Sequence, residues 1–148
     1  MVKNKILIIN SNYYPEISNN LLKGVKLVLK KHKKKFYHVV VPGAFEIPVI
    51  LNKYKKDFIG FIILGCVIRG ETSHFDVVKD LVFKSIYETV NSNLIPLGSA
   101  LLTVNNFAQA LERSQVSERN LGGNAANVCL KMMELIENIL LHGLIMIL

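Results

Sequence analysis

Phe58–Val67 reads FIGFIILGCV, ten residues without a charge. A strand with one wet face alternates apolar and polar side chains. This run does not alternate, so it reads as a strand covered on both faces, which is the habit of a parallel sheet. Parallel neighbours need crossovers long enough to hold a helix, and the flanking sequence supplies them. Upstream, Lys5–Asn10 (KILIIN) is a short strand, followed by Leu21, Leu22, Val25, Val28 and Leu29 at helical spacing with Ser18 as N-cap. Tyr37–Val41 is a second strand, and Ile47, Ile50, Leu51 and Tyr54 outline a second helix. Downstream, Phe75, Val78, Val82 and Ile86 mark a helix, and Leu94–Leu102 a fourth strand broken by Pro96 and Gly98. A short helix around Asn106–Glu112 comes next. Ala125, Val128, Cys129, Met132, Ile136 and Ile139 then make a long amphipathic C-terminal helix. Strands alternating with helices, without repeat or linker, predict an α/β fold with helices on both faces, residues 1–148 forming one domain.

Composition agrees with a folded globule. The 148 residues are 51% hydrophobic and 20% charged, which argues against disorder. Cys66 and Cys129 lie among apolar or small neighbours, and no CxxC or Cys/His spacing suggests zinc, so two reduced, buried thiols are expected. The net charge of +7 owes much to Lys30, Lys31, Lys33, Lys34 and Lys35 around His32. Such a run could meet nucleic acid or an anionic membrane. It has no interleaved aromatics and no nucleic-acid motif, however, and it falls where a helix should end, where solvated lysines complement the helix dipole. Neither nucleic acid nor membrane is therefore expected as a partner. Lys3 and Lys5 interrupt any apolar leader, and Leu140–Leu148 is too short to span a bilayer, so the cytoplasm is expected.

Parallel sheets bind ligands beyond the carboxyl ends of their strands, and each such end here carries something unusual. After the first strand comes Ser11-Asn12-Tyr13-Tyr14-Pro15, with an aromatic pair. After the second comes Pro42–Pro48, PGAFEIP, with Phe45 and Glu46 at a loop-to-helix junction. After the third comes Gly65–His74, GCVIRGETSH, where Gly70-Glu71-Thr72-Ser73 offers amides and hydroxyls at a helix start, a natural phosphate cradle beside His74. Past the fourth lie Thr103 and then Arg113. Taken singly, each has a plainer use: half-buried aromatics, a carboxylate favouring a helix N-terminus, capping hydroxyls, a structural histidine. Their convergence on one sheet edge is what points to a site.

PGAFEIP with GCVIRGETSHFD about twenty residues later, then Leu102-Thr103, QALER at Gln109–Arg113 and Asn120 with Gly122, resembles the lumazine synthase family from about Lys5 to Leu140. The resemblance implies a flavodoxin-like, three-layer αβα sandwich whose four-stranded parallel sheet has the order 2-1-3-4. It implies condensation of 5-amino-6-ribitylaminouracil with 3,4-dihydroxy-2-butanone 4-phosphate, giving 6,7-dimethyl-8-ribityllumazine, phosphate and water without metal or organic cofactor. On that resemblance Tyr13 replaces the aromatic, usually phenylalanine, that stacks on the pyrimidine. Phe45 and Glu46 line the pyrimidine and ribityl pocket, and Val67 and Ile68 present backbone groups. Gly70, Glu71 and Thr72 receive the phosphate, Arg113 reaches it from a neighbouring subunit, and His74 transfers protons.

Three positions depart from the family pattern. Leu121 stands where the family places a substrate-binding lysine, Ser99 where a neighbour's aromatic closes over the ring, and Ala100 where glycine is usual. A homopentamer with sites shared between subunits is implied. Members that build sixty-subunit shells use a longer N-terminal segment than Met1–Asn4, so the shell is left open here. Leu141–Leu148 passes the family's usual end, with docking on a neighbour as its one suggested use. Other readings share the fold: an archaeal-type pentameric riboflavin synthase, a non-catalytic lumazine or flavin carrier, and a structural shell protein.

Overall fold

The computed structural model describes the backbone of residues 4–147 and the side chains of residues 4–137. Met1–Lys3 and the side chains of the 138–148 tail, including any docking role for it, lie outside the described residues. In chain order the elements are β1 (Ile6–Ser11), α1 (Pro15–Lys31), β2 (Phe36–Val41), α2 (Ile47–Tyr54), β3 (Gly60–Ile68), α3 (His74–Asn93), β4 (Leu97–Val104), α4 (Phe107–Ser114) and α5 (Leu121–Ile147). The four strands form one parallel sheet in the order β2-β1-β3-β4, as expected.

Alternation along the central strands sorts the core into two layers. Ile6, Ile8, Ile62 and Leu64 face α1, α4 and α5, where Leu21, Val25, Ala110 and Cys129 meet them. Leu7, Ile9, Phe61 and Ile63 face α2 and α3, where Leu51, Val78, Val82 and Ile86 meet them. β1 is buried at all six positions, and β3 at all but its last two. Fully burying such side chains contributes about 1.5–3 kcal/mol each, so the two central strands are the strongest part of the molecule. β2 is an edge strand and leaves Tyr37 and Val40 exposed.

Three local expectations are corrected. Ser18 does not cap α1. The helix opens earlier, with Pro15 in its first turn and extended Tyr14 as N-cap, and Ser18 lies buried one turn in, its Oγ donating to Asn10 Oδ1 at 3.1 Å. Pro96 and Gly98 do not break β4. Pro96 precedes the strand and accepts from the Phe61 amide at 2.9 Å, while Gly98 lies within it. Thr103 lies inside β4, not past it, paired with Val67.

Gly98 has a packing reason. A Cβ there would collide with the carbonyl oxygen of Ala125, so glycine lets α5 settle directly on the strand. Gly122 does the same for α5 against α1, where a Cβ would strike the Leu21 carbonyl. At the other end of α1, Lys33 takes a left-handed φ of 53° and the Lys34 amide bonds the Leu29 carbonyl at 2.8 Å, which closes the helix. The lysines of the basic run project there, exposed, with Lys30 and Lys31 in the last helical turn.

Candidate active site

The chain crosses from β1 to β2 over one face of the sheet, then from β2 back past β1 to β3 over the other. A crevice therefore opens where the order switches, at the carboxyl ends of β1 and β3. Three turns build its walls. The turn after β1 is tied to the end of β2 by the Asn12 amide, which donates to the Val41 carbonyl at 2.9 Å. After β2, Ala44–Glu46 forms a single 3-10 turn that runs straight into α2, with Pro48 in the first turn of that helix. After β3, the Arg69 amide extends the ladder to the Val104 carbonyl at 2.8 Å. The chain then turns through Gly70–Ser73 into α3, whose first residue is His74. The Thr72 hydroxyl accepts from the His74 amide at 3.3 Å, which satisfies one of the unpaired donors that open any helix.

The crevice has a volume of about 450 Å³, within the range of small-molecule sites. Tyr13, Phe45, Glu46, Val67, Ile68, Gly70, Thr72 and His74 all line it, residues drawn from three separated stretches of chain. Tyr13 is 69% exposed and Phe45 47% exposed. Large aromatics left this wet beside a concavity have faces free for a flat ligand. Tyr13 meets Tyr14 edge-on at 5.0 Å between ring centroids, and Tyr14 rests in turn against Phe107 at 6.4 Å.

Glu71 belongs to the turn but does not line the crevice of its own chain, and neither does Arg113. Arg113 sits on α4, its Nη1 donating to the Gln109 carbonyl at 3.3 Å and lying 3.7 Å from Glu112. Ser99 lies mid-β4 opposite Ile63, and Leu121 opens α5 with its side chain packed on the core layer of α1 and α5. Gly43, Cys66, Phe75 and Val78 also line the crevice, beyond the site residues to which the sequence points. The sequence marks Phe75 and Val78 as helix-core positions, and here they also line the crevice.

Cys66 is no nucleophile at neutral pH. Burial pushes its thiol up to about 11, and that of Cys129 to about 12, so both stay protonated. Burial also raises the Tyr14 phenol, helped by Tyr13 and Cys66, which keeps it a neutral donor. Among the described residues no three His, Cys, Asp or Glu side chains gather as a metal ligand set, and no helix is long and apolar enough to cross a membrane.

A family model for 6,7-dimethyl-8-ribityllumazine synthase matches residues 3–137. The chain is 37% identical over 136 residues to the 6,7-dimethyl-8-ribityllumazine synthase of Bartonella tribocorum, covering 90% of each. It is 38% identical over 138 residues to that of Paramagnetospirillum magneticum, covering 87% of this chain and 92% of the relative. Against that of Agrobacterium fabrum it is 35% identical over 142 residues, covering 91% and 96%.

Proposed function

The chain belongs to the 6,7-dimethyl-8-ribityllumazine synthase family, and from that premise we propose how its own residues divide the work. The activity is that of a transferase of riboflavin biosynthesis, joining 5-amino-6-ribitylaminouracil to 3,4-dihydroxy-2-butanone 4-phosphate. One observation carries the residue assignment: aromatic faces, a carboxylate, a helix-start turn and an imidazole share a single crevice.

Tyr13 and Phe45 hold the pyrimidine ring, and Glu46 accepts hydrogen bonds from the ribityl hydroxyls. Val67 and Ile68, the last residues of β3, present backbone groups to the ring edge. Gly70, Glu71 and Thr72 cradle the butanone phosphate at the α3 N-terminus, where backbone amides and the helix dipole favour an anion. Imine formation, loss of phosphate and ring closure each move a proton near neutral pH, the range in which an imidazole works, and His74 stands at the crevice to carry it. Holding the amine and the ketone together supplies much of the remaining acceleration.

Arg113 completes the phosphate subsite of a neighbouring subunit rather than its own. Its position outside the crevice supports this, and so does the exposed apolar surface at Tyr37, Val40, Val49, Val77 and Leu81, which is available for association. A homopentamer is then the working assembly. Cys66 and Cys129 as free thiols suit a reducing cytoplasm. Ser99 and Leu121 remove an aromatic lid and a cation from the family's pattern, so substrate should bind less tightly than in relatives that keep them. The test is absorbance of lumazine product from the two purified substrates. Binding without product would identify a carrier, and turnover of lumazine alone a riboflavin synthase.

A further inference from the structure

The turn assigned to phosphate packs against little. Gly70, Glu71, Thr72, Ser73 and His74 are all exposed, and a Cβ on Gly70 would meet nothing within 4 Å. A cradle of backbone amides binds well only if it is held in place before the ligand arrives. The residue before it, Arg69, reaches in two directions. Its Nε–H donates to Asn105 Oδ1 at 3.0 Å, just past β4, and its Nη1 lies 3.5 Å from Asp76 Oδ2 in the first turn of α3. Its guanidinium carbon sits 4.4 Å from the centroid of Phe75, a ring that itself lines the crevice. Lys79 approaches the same pair, 3.6 Å from Asp76 and 5.6 Å from the Phe75 centroid.

Asn105 is in turn fixed from its own side. Its backbone amide donates to Gln109 Oε1 at 2.8 Å, and the Gln109 carbonyl accepts from Arg113. The Arg69 side chain thus pins both borders of an exposed turn, to the α3 start on one side and to the β4–α4 junction on the other. The planar fork of arginine suits this because its donors point to two partners at once.

We propose that Arg69 is a positioning residue for the phosphate-bearing substrate, acting through Asn105, Asp76 and Phe75 to hold the Gly70–His74 turn in its binding geometry. The proposal rests on the assignment of that turn to phosphate. Because the Arg69–Asp76 pair is nearly half exposed on both sides, it adds little to global stability, so its loss can be read in kinetics without unfolding.

The test is steady-state kinetics of the full chain for Arg69→Gln, Arg69→Lys, Asn105→Ala, the Arg69→Gln/Asn105→Ala double variant and Arg113→Ala. Arg69→Gln and Asn105→Ala should each raise the KM for the butanone phosphate by about ten- to a hundredfold, with the pyrimidine KM and the melting temperature nearly unchanged. The double variant should be no worse than the worse single one, since both break one brace. Arg69→Lys should fail to restore binding, as a single ammonium cannot serve both partners. Asn105 is uncharged and does not line the crevice, so its effect separates positioning from direct attraction. Normal kinetics in Asn105→Ala together with rescue by Arg69→Lys would overturn the proposal in favour of charge alone. A fall in melting temperature with equal losses for both substrates would overturn it in favour of a structural role. Arg113→Ala reports on the parent reading by itself. If that variant weakens pyrimidine and spares the butanone phosphate, the subsites are exchanged and the proposal falls with them.

Discussion

His74 occupies the first position of α3, with its amide held by Thr72 and its ring at the crevice. A side chain at that position adds little to the helix, so its removal should spare the fold while removing the proposed proton carrier. His74→Ala is expected to lower kcat by about 10²–10⁴-fold at saturating substrates, with an unchanged circular dichroism spectrum. Full turnover in that variant would assign the proton transfer elsewhere. Leu121 poses a different question. Its side chain is half-buried on the core of α1 and α5, and a lysine there could keep its stem on that surface and send its ammonium outward. Leu121→Lys should tighten substrate binding by the ~1.5–3 kcal/mol of a charge-assisted hydrogen bond. Arg119, exposed in the loop before α5, is the rival source of that charge. A large loss in Arg119→Ala with no gain in Leu121→Lys would show that the loop has changed its donor.

At the scale of the element, the sheet rests on contacts that tolerate almost no added volume. Gly98→Ala puts a methyl group where the Ala125 carbonyl already sits, so α5 must lift off β4. Such overpacking costs about 1–3 kcal/mol, and the urea midpoint should fall accordingly. A midpoint equal to that of the parent chain would mean the helix can slide without cost. The elements themselves are largely legible in the sequence. β3 shows itself by an unbroken apolar run, α2 and α3 by their spacing, and the crevice edge by the aromatic, acidic and glycine-bearing turns just past the strands. Ser18 misleads because a hydroxyl near a helix start looks the same whether it caps the helix or bonds a buried asparagine on β1. Gly98 reads as a break in its strand because its reason lies on α5, far along the chain. Arg69 gives no signal for the same cause: Asp76, Phe75 and Asn105 become its neighbours only after β3, α3 and β4 are in place.

At the scale of the whole molecule, no single chain has a complete site if Arg113 serves its neighbour. That makes the assembly testable by mixing defects. His74→Ala and Arg113→Ala subunits, refolded together in equal amounts, should regain activity in about a quarter of their sites under random mixing around a closed ring. Sedimentation of the parent chain should show a pentamer, and lack of any recovery in the mixture would place Arg113 with its own subunit. β1 precedes both of its partners in the chain, lies in the middle of the sheet and pairs with both β2 and β3. As the chain leaves the ribosome, Ile6–Ser11 must wait with its second edge open until Gly60–Leu64 has been synthesised. A largely apolar strand in that interval is a target for chaperones and for chance pairing with other nascent chains. The same centrality that makes β1 the best protected strand of the finished enzyme makes it the most vulnerable during translation.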